Sequence, residues 1–225
     1  VQQQQTLGVF GVNVLYAAVY LRDQPAGMLG SLMDGLSLDN LEVDVIECSG
    51  PAFQGLADSK GVALDMLERG LARAVAFDGQ GRMEQPATVF RKRGLLVHRC
   101  SLTRDNPEME HMLDAAGRML RAESPEEEPL PVLELSLGGV QVAGVHVEGT
   151  NKGANARKRL DWLVRPGHAA LLTNYAETFL LSGYLRRFST EALRFVVGLD
   201  AVIMILNDRF YAGINGGVLE ALGRL

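Results

Sequence analysis

The chain has little cysteine, few aromatic residues and no long uninterrupted apolar run. Cys48 and Cys100 are its two cysteines in 225 residues, too few for a disulfide framework. Two free thiols are the expected state, with a single bridge as the alternative. No stretch reaches the roughly 18–20 apolar residues that a bilayer-spanning helix needs. The most apolar stretches, 7–21 and 195–206, are shorter, and Asn13 and Asp200 interrupt them. A basic, signal-peptide-like start is missing, and Gln2 to Gln5 occupy its place. Positive charge is not in excess either. The net charge is −5 and the pI is near 5.4. That argues against a whole-surface basic field and so against nucleic acid as a partner.

What is present is ordinary globular composition, 47% hydrophobic and 22% charged. Disordered, collagen-like and coiled-coil chains are thereby set aside. The length is enough to bury a sizeable core without staples. The start at Val1, without Met, leads us to expect a removed leader or further chain upstream. The last helical pattern meets no stop signal after Arg224, so further chain is also expected beyond Leu225. With a leader removed, the compartment would be a plastid or mitochondrion; otherwise it is the cytoplasm.

Short runs rich in Val, Leu and Ile alternate with helical patterns. Strands are expected at 43–48, 74–77, 95–102, 132–135, 140–147, 169–173 and 195–198. Several are continuous apolar runs, as in strands buried on both faces. Helices are expected at 59–73, 107–121, 156–163, 175–188, 200–207 and 217–224, with a short one at 28–33. Residues 9–21 are apolar enough to be buried, as strand or as helix. In the helix at 107–121, Asn106 is placed to cap and Pro107 suits the first turn. Its apolar face is Met109, Met112, Leu113, Ala116 and either Met119 or Leu120. Asp78-Gly79-Gln80-Gly81 reads as a hairpin turn. The fold class is α/β: a mostly parallel, Rossmann-like sheet with helices on both faces, in a single domain over 1–225. The acidic, proline-rich loop at 122–131 is the one candidate boundary.

A strand running into a loop and a helix N-terminus is where α/β proteins hold phosphate. The unit beginning at residue 95 has that form. Arg99, Ser101 and Arg104 are its candidate phosphate contacts, with Lys152 from a later loop. Against this, the loop lacks glycine, which limits backbone approach, and Asp105 would repel an anion. Lys152 precedes Gly153, so the Gly-Lys-Ser/Thr order of a phosphate loop is absent. The basic run Arg157, Lys158 and Arg159 is a solvated helix face or, with Lys152, a docking surface for an acidic partner or a headgroup, and Phe210 and Tyr211 are apolar surface candidates. The four histidines show no metal spacing, and no metal site is expected. His98 and Cys100 share one strand face, but a nucleophilic dyad lacks a third, orienting group.

Several stretches together resemble a group of bacterial and plastid-type proteins labelled nicotinamide- or nicotinate-nucleotide adenylyltransferase-like. In that group a loop reads roughly Arg-Gly-Ser-Phe-Arg-Pro-Val-Thr, similar to the segment at Arg99 and Ser101. The other resembling stretches run from Glu47 to Phe53, Leu172 to Tyr175, Tyr184 to Phe188 and Gly216 to Arg224. Asp23 to Pro25 and Leu32 to Ser37 add to them. The resemblance implies a nucleotidyltransferase-like scaffold and adenylyl transfer from ATP. It also places Cys100 at the glycine, Leu102 at the phenylalanine and Arg104 at the proline. Asn106 and Met109 fall at the two His/Thr positions, and His111 comes two residues late. Every position that carries chemistry in the group is substituted here.

The expected function is therefore a non-catalytic accessory or interaction subunit of a larger assembly, with no catalytic residue and no cofactor. Its partners would be protein subunits, with peripheral association with a membrane complex as one form. The alternative is a nucleotide-binding enzyme of the nicotinamide mononucleotide adenylyltransferase type, using ATP and magnesium.

Overall fold

The computed structural model describes residues 2–51, 53, 58–100, 109–126, 128–137, 152–211, 215–223 and 225. The side chains of 25, 26, 152–155, 200, 204 and 210 are outside that description. The expected strand at 140–147 and the expected cap Asn106 lie outside it too.

The stretch left between strand and helix is a helix, α1 (Gln2–Tyr20), followed by the short α2 (Pro25–Ser31). Asn13 ties the two together by donating to the carbonyls of Leu32 at 3.0 Å and Asp34 at 2.9 Å. The expected strand at 43–48 does not form. The segment is irregular, with Val43 N–H donating to the Leu71 carbonyl at 2.8 Å. Val43, Ile46 and Cys48 instead pack against the core as a covering loop. Apolar content gave that run a place in the interior, but a strand also needs a neighbouring ladder.

α3 (Ser59–Glu68) starts where the Asp58 carboxylate accepts from Gly61 N–H at 3.2 Å. It ends earlier than its periodicity predicts. Gly70 turns to φ +71, and Leu71 N–H bonds back to the Met66 carbonyl at 2.8 Å. A glycine just past the last turn is the usual way to satisfy helix-end carbonyls. The chain then enters β1 (Ala74–Phe77) and turns through Asp78 into β2 (Met83–Glu84). The Asp78 carboxylate accepts from the N–H groups of Gln80 and Arg82, both at 2.9 Å, and Gly81 takes φ +78. The expected hairpin turn is thus present, with Phe77 paired to Met83.

The remaining elements are α4 (Pro86–Phe90), β3 (Leu95–Cys100), α5 (Met109–Glu123), β4 (Leu130–Ser136) and α6 (Lys152–Leu163). They continue as β5 (Ala169–Thr173), α7 (Thr178–Leu185), β6 (Leu193–Val196), α8 (Leu199–Ile205) and α9 (Gly217–Gly223), with a 3-10 turn at Asp208–Tyr211. The six strands form one sheet in the order β2-β1-β5-β4-β3-β6. The last four of these are mutually parallel, while β1 runs antiparallel to both its neighbours. The sheet is therefore mixed and mostly parallel. The acidic segment at 122–131 leads from α5 to β4, within a crossover between adjacent parallel strands.

Strand residues alternate between two apolar layers. Val75, Phe77, Leu96, Leu133, Leu135, Ala170 and Leu172 face a layer built with α3, α5 and α6. Ala74, Ala76, Leu95, Val97, Val132, Ala169 and Leu171 face the layer of α4 and α7. Helices thus cover both faces, as the continuous apolar runs predict. On α5 it is Leu120 that is buried, and Met119 is exposed.

Candidate functional site

Parallel strands in an open sheet end at a common edge, and ligands of α/β proteins gather there. Here that edge carries Arg99 on β3, Glu134 and Ser136 on β4, and Thr173 on β5. All four belong to the α7 side of the sheet by strand alternation. They form one network beneath the turn that leads into α7.

Arg99 is its hub. Its Nε donates to Glu134 Oε2 at 2.9 Å. Nη2 donates to Glu134 Oε1 at 3.3 Å and to the Tyr175 carbonyl at 2.6 Å. Nη1 donates to the Ala176 carbonyl at 3.0 Å and to Thr178 Oγ1 at 3.2 Å. A guanidinium has five N–H donors, and these five bonds engage all of them. Glu134 is fully buried, so its charge needs such a partner. It also accepts from Thr173 Oγ1 at 2.6 Å, and Ser136 Oγ donates to the Tyr175 carbonyl at 2.8 Å. The network therefore locks three strand ends to the α7 turn.

The opposite face of β3 carries His98 and Cys100. Nδ1 of His98 lies 3.1 Å from the Val196 carbonyl. Burial lowers the His98 pKa, against the effect of that carbonyl. The Cys100 sulfur lies 3.6 Å from the Met109 sulfur, at the start of α5. Burial pushes the thiol up from 9.0 to about 12, Glu134 adds to this, and Arg159 opposes it. A thiol so raised is a poor nucleophile at neutral pH. Because its folded value lies above 9.0, it disfavours folding only as pH rises past that value toward 12.

Among the sequence candidates, Arg99 is turned inward and fully bonded. Ser101 and Arg104 lie outside the described residues. Lys152 is the first residue of α6, and its side chain is outside the description. On α6, Arg157 pairs with Asp58 and with Asp161, Lys158 is exposed, and Arg159 is half-buried near the end of β3. The basic run thus does not present one uniform surface: part of it fastens α6 to α3. Lys60 adds to the same seam by donating to Asp161 at 3.0 Å. The Phe210 side chain is outside the description. Tyr211 is 6% exposed, packs its ring at a tilt against that of Phe179 with centroids 5.9 Å apart, and donates its hydroxyl to the Ile205 carbonyl at 2.6 Å. It is an interior residue of the corner formed with α9. Among the described residues, no group of three or more His, Cys, Asp or Glu side chains converges to hold a metal.

Sequence reasoning passed over Glu134 and Thr173. The signal was available: an acid inside the apolar run Val132 to Leu135 must find a charged partner.

The other conspicuous feature lies far from this edge in character. α1 contains no Asp, Glu, Lys, Arg or His over its whole length. Thr6, Phe10, Asn13 and Ala17 form its buried or half-buried stripe. The rest of the helix is open, with Leu7 54%, Leu15 67% and Tyr20 72% exposed, and Val9, Val12, Val14, Tyr16 and Val19 exposed beside them. Single exposed apolar residues are normal, but a contiguous helical face of eight is not. Among the described residues, no helix is long and apolar enough to cross a membrane.

Comparisons with family models, curated proteins and solved structures gave no match.

Proposed function

We propose that this chain is a non-catalytic interaction subunit of a larger assembly, built on a degenerate nucleotidyltransferase-like, Rossmann-like scaffold. The observation that carries the reading is the outward face of α1. Apolar surface of that extent on a folded body is stabilised when a partner covers it. α8 and α9 add Leu199, Ile203 and Leu219 as further exposed apolar side chains. Arg99 supports the non-catalytic side of the proposal. A phosphate arriving at the end of β3 would meet a guanidinium whose donors already bond to Glu134, Tyr175, Ala176 and Thr178. Releasing it would leave Glu134 buried without its charge partner.

The nucleotide-binding alternative draws on a different observation. The order β5-β4-β3-β6 reverses direction of growth between β3 and β6, and such a reversal opens a crevice at the strand ends. Arg159 stands near that end of β3. Under this reading Arg104, Ser101 and Lys152 would hold the ATP phosphates.

The interaction reading is tested by gentle native purification of the wild-type chain and of Leu15→Lys. The wild type should recover a stoichiometric complex and the variant should lose it. A wild-type chain that recovers no partner, or a variant that keeps the same complex, contradicts the proposal.

A further inference from the structure

We infer that the turn Arg91-Lys92-Arg93, between α4 and β3, is a docking site for an acidic segment of a protein partner. The inference rests on the interaction reading above and adds to it a second contact of stated chemistry. Arg91 has φ −58 and ψ 130, Lys92 has φ 55, and Arg93 N–H donates to the Phe90 carbonyl at 3.3 Å. These are the marks of a type II turn, whose third position favours glycine. Lys92 holds that position, and it is the one non-glycine residue with positive φ among the described residues. An L side chain is strained there, and glycine would relieve the strain. The lysine gives the turn itself nothing that glycine lacks. What it adds is an exposed ammonium between two exposed guanidinium groups. Among the described residues, none of the three side chains has a hydrogen-bonding or ionic partner. Backbone strain kept at an unpartnered charged position points to a ligand contact.

The turn is also held in place from both sides. Phe90 anchors it in the core. The Arg93 carbonyl accepts from the buried Ser189 hydroxyl at 2.7 Å, and the Gly94 carbonyl accepts from Leu130 N–H at 2.8 Å. Leu95 N–H donates to the Ala192 carbonyl at 2.8 Å. Three cations are thus presented on a fixed backbone, which lowers the ordering cost of binding.

The surroundings select the kind of anion. The chain carries −5, but at 0.1 M salt a charge reaches only about 10 Å, so the local turn decides. Exposed carboxylates border it. Glu128 precedes Pro129, which packs beside Gly94, and Glu191 precedes Ala192. A lipid surface or a nucleic-acid backbone would spread its negative charge over those acids as well and be repelled by them. A single small anion would be held only by solvent-screened contacts. A narrow run of Asp or Glu side chains can meet the three cations together and leave the rim in water.

Fluorescence anisotropy of a labelled octaglutamate peptide with the full chain tests this. Binding should weaken as salt rises. Lys92→Gly should raise the dissociation constant about threefold, and the triple variant Arg91→Ser, Lys92→Gly, Arg93→Ser at least about tenfold. Lys92→Gly should melt at the same temperature as the wild type or higher, which separates lost binding from lost fold. Arg118→Gln, an exposed cation on α5, should change nothing. The inference is overturned if the wild type does not bind the peptide, or if the triple variant binds it equally well. It is also overturned if phosphatidylserine vesicles or a single-stranded oligonucleotide bind this turn more tightly than the peptide. If native extract yields a complex that Leu15→Lys loses and the triple variant keeps, the docking turn fails and the interaction reading stands. If the peptide binds through the turn but native extract yields no complex, the interaction reading fails and the anion-binding turn remains.

Discussion

Replacing Arg99 by methionine is expected to cost about 3–5 kcal/mol of folding stability, because it leaves the buried Glu134 carboxylate without its charge partner. Arg99 is 16% exposed along its side chain and Glu134 is 0% exposed, so water cannot take over the lost contacts. The variant also removes the bonds that hold the Tyr175–Thr178 turn to β3. Urea unfolding measures the loss directly. The double variant Arg99→Met with Glu134→Gln should recover part of the loss, since it removes the stranded charge. A loss below about 1 kcal/mol would mean that the pair behaves like an exposed one.

Phe90→Ala is expected to cost about 3–5 kcal/mol as well, by leaving a cavity between sheet and helix. Phe90 is the last residue of the short α4 and is fully buried. It packs in the layer shared by Val97, Leu171 and Leu185, with its ring 6.5 Å from that of Phe188. Urea unfolding again gives the number. A cost below about 1 kcal/mol would show that α4 is an appendage and not part of the α7-side core.

These two residues also mark what the sequence made legible. Phe90 lies in a five-residue helix too short to show a period, so pattern reading passed it over. Long periodic segments were readable: α5 falls close to its expected bounds, α6 ends where expected but begins four residues earlier, at Lys152, and β5 matches its run. The apolar run at 43–48 misled because strand formation depends on a neighbour that a local pattern does not reveal. α3 stopped early because Gly70 adopts a left-handed turn. At the strand edge, Arg99 was visible as a charged residue within the strand expected at 95–102, and as a candidate phosphate contact. Its orientation was not, because that depends on Glu134 and on the α7 turn, 35 to 79 residues away in the chain. α1 was visible as apolar, but composition alone suggests burial. That only the stripe of Thr6, Phe10, Asn13 and Ala17 is covered is a property of the fold.

The central claim is that this chain acts through its surface and not through chemistry at the strand ends. Thermal melting with and without ATP, magnesium and nicotinamide mononucleotide tests it most directly. A ligand that binds the folded form raises the melting temperature in step with its saturation. The account predicts no shift at millimolar ligand. A saturable rise that Arg104→Ala or Lys152→Ala abolishes would contradict it and favour the nucleotide-binding alternative.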